Sequence, residues 1–282
     1  MKQQKCNFQL LFVKKPALLL ALSLIGGCYN LNGATGYYGA DSFTLIATTP
    51  ANFGLTSKSQ YSPQAGHDCR TYSAGLGGYV TRRHQKTDEI DEKNVEQTAR
   101  FDIPLSYRAA GCKMELTRVD VAIDGRYGTS SLDIGGDVGG ISVTGDPSHA
   151  TSAQSLNEIR EFRGLCTWFF QLSVERIDKD GISKILSCSA ANTDWSVPSD
   201  YFERSKPGGA IQRSSLNGKN VKFTFRLSKD EEPSMLNRWI KTTGGWRPCQ
   251  GSTSSNRCQT PPTFRTFKMN DRECVVYPNC TE

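Results

Sequence analysis

Apolar residues recurring at every second position constrain this chain more than any other feature. Val221, Phe223, Phe225 and Leu227 alternate with Lys222, Thr224 and Arg226. That is the pattern of a strand with one face in a core and one in water. Asn217-Gly218 just before it is a turn signal. Cys166, Trp168, Phe170, Leu172 and Val174 form a second such face, and Phe101, Ile103 and Leu105 a third, with Pro104 marking an edge strand or bulge. Cys112, Met114 and Leu116 alternate, then Val119, Val121 and Ile123 continue with opposite parity. A parity change within one run predicts a bulge near Thr117-Arg118. Glycines within 75–78 (Gly75, Gly77 and Gly78) and at 135–136, 139–140, 208–209 and 244–245 read as turns. Helical periodicity is weak, with short helices expected only near Ser155 to Phe162 and Pro233 to Lys241. The expected fold is mainly β, an antiparallel β-sandwich-like architecture in one or two packed units. A first β region spans 41–150 and a second 151–282, divided at the polar stretch Asp146 to Gln154 or running on as one domain.

The N-terminus carries an address. Lys2, Lys5, Lys14 and Lys15 precede the apolar run Ala17 to Gly27, with no acidic residue among them. Eleven residues fall short of the about 20 that a bilayer span needs. A basic start, a short apolar run and small residues before a cut mark a secretory signal. Leu24-Ile25-Gly26-Gly27-Cys28 resembles the bacterial lipobox. That resemblance implies residues 1–27 as a lipoprotein signal peptide, Cys28 as the acylated first residue of the mature chain, and 28–40 as a tether. An ordinary signal in which Cys28 is incidental is the alternative. Tyr29 in place of aspartate implies an outer-membrane lipid anchor facing the periplasm. The lipid on Cys28 is the only cofactor expected.

Compartment decides how the charge and the cysteines are read. The full chain is +6, but four lysines lie in the signal, leaving 30 Lys and Arg against 28 Asp and Glu, about +2. Nucleic acid is therefore not an expected partner, since that reading needs a clustered basic face. Beyond Cys28 lie Cys69, Cys112, Cys166, Cys188, Cys249, Cys258, Cys274 and Cys280, an even number in an oxidising compartment. Cys249 and Cys258 flank a Gly/Ser-rich loop, and Cys274 and Cys280 flank Tyr277-Pro278-Asn279. Each pair closes a local loop. Cys166 and Cys188 look like a hairpin pair, but a turn at Asp178 to Gly181 places Cys188 opposite Gln171 or Leu172. The gap to Cys166 is then roughly 16–20 Å, against the roughly 7 Å that a disulfide spans. Cys69 and Cys112 are accordingly expected to pair with Cys166 and Cys188 in some order.

Chemistry is sparse. His67, His84 and His149 are the only histidines, and no His-Glu-x-x-His or Gly-x-Ser-x-Gly motif is present. Asp146, Ser148 and His149 are neighbours in sequence, which is not triad geometry. His84, Asp88 and Asp91 would share a side only on a helix, and the Asp- and Gly-rich stretch 124–137 lacks calcium-loop spacing. No enzyme activity and no metal are expected. Residues 81–100, polar and of mixed sign, read as a solvated loop or a partner-binding arm. Arg82, Arg83, Asp88 and Glu89 are its candidate contacts, with Trp239 and Trp246 as candidate interface anchors. Trp168 reads as core.

FDIPLSYRAAGC (101–112), VDVAIDGRYG (119–128), DIGGDVGGISV (133–143), CTWFFQLSVERIDKDGISKILSCSA (166–190) and RTFKMNDRECVVYPNCTE (265–282) together resemble a group of Gram-negative lipoproteins. That group confers immunity to lipase or phospholipase effectors of type VI secretion. The resemblance implies a partner, the effector enzyme, whose active site this protein blocks, and a lipid anchor that concentrates the inhibitor where damage occurs. It carries over no catalytic residue. A structural or accessory lipoprotein of an envelope assembly, such as a secretion or pilus pilot, is the runner-up. An envelope hydrolase using Ser148 or His149 is the third reading.

Overall fold

The computed structural model describes residues 36–281 apart from 65, 68, 146–159 and 173–180. Cys28, its tether through 35, and the Asp146, Ser148 and His149 group lie outside the described residues. Among the described residues nineteen strands follow in order. The first half of the chain forms β1 (Tyr37–Tyr38), β2 (Ser42–Thr49), β3 (Phe53–Pro63), β4 (Arg70–Ser73), β5 (Gly78–Thr81), β6 (His84–Ile90), β7 (Gln97–Pro104), β8 (Ser106–Ala109), β9 (Cys112–Arg126) and β10 (Ile134–Thr144). The second half forms β11 (Arg160–Gln171), β12 (Ser183–Ala190), β13 (Gly208–Gln212), β14 (Asn220–Leu227), β15 (Glu232–Pro233), β16 (Trp239–Thr242), β17 (Gly245–Pro248), β18 (Phe267–Met269) and β19 (Arg272–Cys274).

The long strand β9 organises a seven-stranded sheet. One of its edges is taken by β3, which passes on to β6. The other edge pairs first with β8, which carries β1, and then with β10, which carries β13. The parity change falls where expected. Gln60 faces Arg118 but Tyr61 faces Leu116, leaving Thr117 as the extra residue. Its hydroxyl donates to the Gln60 carbonyl at 3.2 Å. The bulge lets Met114 and Leu116 on one side of it, and Val119, Val121 and Ile123 on the other, all point into the core.

A six-stranded sheet runs β12-β11-β14-β2-β7, with β15 beside the far end of β11. Pro104 ends β7, an edge strand, where its missing N–H costs no ladder bond. Most pairings are antiparallel, as expected. The exceptions are β14, which runs parallel to both β11 and β2, and the parallel contacts β11–β15 and β10–β13. The buried faces of both sheets, among them Leu45, Ile103, Val121, Trp168 and Phe223, merge in one core. Each fully buried side chain of this size contributes about 1.5–3 kcal/mol. The Asp137 carboxylate of β10 accepts the backbone N–H of Cys188 in β12, tying one sheet to the other.

Several glycines expected in turns lie within strands. Gly139 and Gly140 belong to β10, and Gly208 and Gly209 to β13. Gly208 lies opposite Gly140 in the parallel pair, and a Cβ on it would sit 1.7 Å from the Gly140 carbonyl oxygen. Gly135 plays a similar part toward the Trp168 ring. These residues are glycine for backbone approach.

A second core forms beyond the end of β11. Phe170, Leu172, Ile182, Trp239, Phe267, Met269 and Tyr277 gather there with Cys274. The β16–β17 and β18–β19 hairpins build it, and the Cys249–Cys258 and Cys274–Cys280 disulfides close its loops as predicted. The helix expected near Pro233 to Lys241 is replaced by β15, one 3₁₀ turn at Leu236–Arg238, and β16. Pro233 pairs with Phe170, and Trp239 is needed in the core. Of the other expected helix, residues 160–162 belong to β11 and 155–159 lie outside the described residues.

The long-range disulfides overturn the expected cross-pairing. They are Cys69–Cys112 and Cys166–Cys188. Cys166 and Cys188 face each other directly in the β11–β12 ladder, with Cα atoms 3.8 Å apart. Gln171 pairs with Ser183, not with the residues that a turn at Asp178 to Gly181 implies, and 178–180 of that turn lie outside the described residues. The described ladder ends at Gln171, and Val174 of the apolar run lies outside the described residues. Leu172 and Ile182 leave the ladder to enter the second core.

Candidate partner-binding site

Between β3 and β6 the chain makes a hairpin that joins neither large sheet. Among the described residues β4 and β5 pair only with each other, Tyr72 opposite Tyr79. A 3₁₀ turn, Ala74–Leu76, reverses the chain, and Gly77 at φ 64° takes the left-handed conformation that closes it. At the tip Leu76 is 77% exposed, and Tyr72 and Tyr79 are 60% and 72% exposed. The two tyrosine rings pack edge to face at 5.6 Å. Two devices fix the base. Buried Cys69 is bonded to Cys112 at the start of β9, and the Arg82 N–H donates to the Cys69 carbonyl at 2.7 Å. Arg70, Arg82 and Arg83 flank the base, and residues 70–83 contain no acidic side chain. The result is a stapled, protruding element with an apolar tip and a basic collar.

The stretch 81–100 is not a solvated loop. Residues 84–90 are β6 and 97–104 are β7, in different sheets. Polar side chains do not prevent this, because β6 holds to β3 through backbone bonds and lies at the sheet edge. There Asp88 pairs with Lys86, and exposed Glu89 adds charge that discourages pairing with another chain. Arg82 is half-buried and Arg83 exposed at the joint between hairpin and β6. Trp239 is 3% exposed and belongs to the second core, with no surface for a partner. Trp246 is half-buried against that core, with the Lys241 ammonium 5.7 Å from its ring centre.

An aromatic cluster near the hairpin escaped sequence reasoning. The His84 ring stacks on Tyr107 at 3.6 Å, and the Tyr38 hydroxyl and His84 Nε2 are hydrogen-bonded at 2.8 Å. Tyr61, buried below them, donates to the Pro104 carbonyl at 2.9 Å. Burial pushes the Tyr61 hydroxyl far above its ordinary range, with the nearby Tyr38, Asp88 and Asp102 adding to the rise. Burial also lowers the His84 pKa, which favours the neutral ring. These residues come from β1, β3, β6 and β8, so only the curl of the sheet brings them together. His84 and Asp88 lie four residues apart on a strand, about 13 Å. Among the described residues no group of three or more His, Cys, Asp or Glu side chains is placed to hold a metal ion. Among the same residues no helix is long and apolar enough to cross a membrane.

Compared with protein-family models, curated proteins and solved structures, the chain matches none.

Proposed function

We propose that the protein is a membrane-anchored periplasmic immunity lipoprotein that binds and neutralises a lipase or phospholipase effector of type VI secretion. The observation that supports this reading best is the β4–β5 hairpin. An inhibitor must present a rigid element that a cleft accepts without ordering cost. The Cys69–Cys112 staple supplies rigidity, and Tyr72, Leu76 and Tyr79 supply an apolar tip suited to a lipid-binding cleft. Aromatic anchors of this kind carry most of the energy in protein interfaces. Catalysis plays no part in the mechanism: the hairpin occupies the place of lipid, and the anchor at Cys28 keeps the inhibitor at the membrane under attack.

The test begins with capture of the mature protein from its own cells and identification of what co-purifies. A single lipase-like enzyme in about equal amount is expected, with its activity falling stoichiometrically as the protein is added. Tyr72→Ala with Tyr79→Ala should weaken that inhibition by about 100-fold, since each lost anchor costs about 1–2 kcal/mol, and should leave the melting temperature unchanged. Recovery of envelope-assembly subunits, without inhibition of any lipase, replaces this reading with that of an accessory lipoprotein.

A further inference from the structure

The point where the chain enters the fold decides which part of the molecule an N-terminal anchor holds nearest a membrane. Strand β1 is clipped to the base of the β4–β5 hairpin. The Tyr38 hydroxyl and His84 Nε2 are hydrogen-bonded at 2.8 Å, and His84 opens β6 two residues beyond Arg82. The Arg82 N–H is bonded in turn to the Cys69 carbonyl at the other foot of the hairpin. On the opposite side of β1 the Gly39 N–H donates to the Ser106 carbonyl at 3.0 Å. Gly36 packs so closely there that a Cβ on it would lie 1.6 Å from the Tyr107 hydroxyl oxygen. The chain therefore enters beside the hairpin. Eight residues, 28–35, separate Cys28 from Gly36, and eight residues span at most about 29 Å.

The hairpin is graded along its length. Tyr72 and Tyr79 are register partners, so their side chains share one face of the ribbon. Arg70 and Thr81 share that face two pairs nearer the base, about 7 Å away. Leu76 lies beyond the tyrosines, in the closing turn. At the base stand Arg82 and Arg83, and among the described residues no carboxylate lies within salt-bridge distance of either. Base to tip, the order is cation, tyrosine, leucine. A bilayer presents the matching order from water inward: anionic headgroups that attract Lys and Arg, an interface that favours tyrosine, then acyl chains. Tyr37, 60% exposed, adds another interfacial ring where the chain enters. A single exposed leucine needs no explanation, but three large side chains at the end of a stapled hairpin form a patch that calls for a partner.

We propose that the β4–β5 hairpin docks on an anionic phospholipid surface, the membrane that holds the anchor. Leu76, Tyr72 and Tyr79 sit at the boundary of headgroups and acyl chains, and Arg82 and Arg83 lie against the headgroups. This is a second, reversible membrane contact, and it sets the orientation of the domain that the lipid alone leaves free. The proposal rests on the lipid anchor of the reading above and not on the effector. Bilayer and effector cleft exclude each other at one tip, so a binding effector draws the hairpin out of the lipid.

The mature chain from residue 28 has one thiol outside its four disulfides, Cys28. Coupling it to a lipid with a maleimide headgroup places the domain on vesicles as the anchor would. The vesicles mix phosphatidylglycerol with phosphatidylcholine brominated in its acyl chains, and the emission of Leu76→Trp is read against that of the wild type. Quenching of the added emission by bromine is expected. Phe202→Trp, at a position 92% exposed on another turn, should not be quenched. Arg82→Gln with Arg83→Gln should lower the docked-to-undocked ratio about 30-fold, since each cation near an anionic surface contributes about fivefold. Vesicles without phosphatidylglycerol should lower it similarly. Unchanged melting temperatures confirm that the variants fold. An unquenched Leu76→Trp, equal quenching of Phe202→Trp, or full quenching without phosphatidylglycerol overturns the proposal. Mass spectrometry of the native N-terminus reads the anchor separately. An acylated Cys28 with an unquenched hairpin sinks this inference alone, whereas an unacylated Cys28 sinks the anchor and the inference with it.

Discussion

Tyr61 joins the fold's chemistry to its stability at the scale of one residue. Its ring is 1% exposed and its hydroxyl has a single acceptor, the Pro104 carbonyl, which links β3 to the end of β7. Tyr61→Phe leaves that carbonyl unpaired and should cost about 1–2 kcal/mol in urea denaturation. The same hydroxyl predicts a pH dependence. Its folded pKa is raised above the unfolded 10.0, so the folded state holds the proton where the unfolded chain releases it. This contribution is intact below pH 10 and falls as pH rises beyond it, by up to about 1.4 kcal/mol per pH unit. Tyr61→Phe should flatten that alkaline limb, and an unchanged limb would show that Tyr61 ionises freely in the folded protein. Little of this was legible in sequence. Tyr61 sits among polar residues, Ser57, Ser59 and Gln60, and both serines are themselves fully buried. Alternation finds a core face when its residues are apolar, as at Val119, Val121 and Ile123. A core face built partly of serine and tyrosine gives no such signal.

Elements were legible where one face is apolar and illegible where a strand is wet on both. The bulge in β9 shows as a change of parity because both of its halves face the core. Strand β6 has no fully buried side chain, since His84, Lys86, Asp88 and Ile90 on its inner face are only half-buried, and its charged residues read as loop. The candidate site follows the same division. Arg82 and Arg83 were singled out, but the exposed tyrosines and Leu76 just before them, on a hairpin outside both large sheets, were not. The β11–β12 register failed for another reason, since a periodic apolar run reports burial and not which core receives it. Glycine carries a further ambiguity between turn and close approach, which Gly208 resolves. At φ 140°, with the Gly140 carbonyl where its Cβ would lie, it has no room for a side chain. Gly208→Ala must push β13 off β10 and should lower stability by about 2 kcal/mol or more in the same assay. Gly218→Ala is the matched control. Gly218 is left-handed too, at φ 67°, but its Cβ would meet nothing within 4 Å, so its loss should stay near 1 kcal/mol. Equal losses at the two positions would mean that backbone conformation, not the approach of β13 to β10, makes glycine necessary.

At the scale of the molecule, sequence left open whether 41–150 and 151–282 fold together or apart. The topology argues for interdependence. Strand β14, from the second half, takes its place between β11 of its own half and β2 of the first. Strand β13 completes the first half's large sheet by pairing with β10. The main core draws Leu45, Ile103 and Val121 from one half and Trp168, Leu186 and Phe223 from the other, with no apolar seam between them. A chain of residues 160–282 alone would expose one edge of β14 and the inner faces of Trp168, Phe223 and Phe225. It would retain only the second core, which is smaller and held by two short-loop disulfides. Two fragments, 36–145 and 160–282, should therefore each show poor amide dispersion by NMR and bind a hydrophobic dye. Mixed, they should regain the spectrum of the intact protein, because every backbone pairing between the halves is available without a peptide link. A second fragment that folds alone with native dispersion would instead show that the two β regions are separate domains. In that case the parallel β14–β2 pairing would be a docking contact between them.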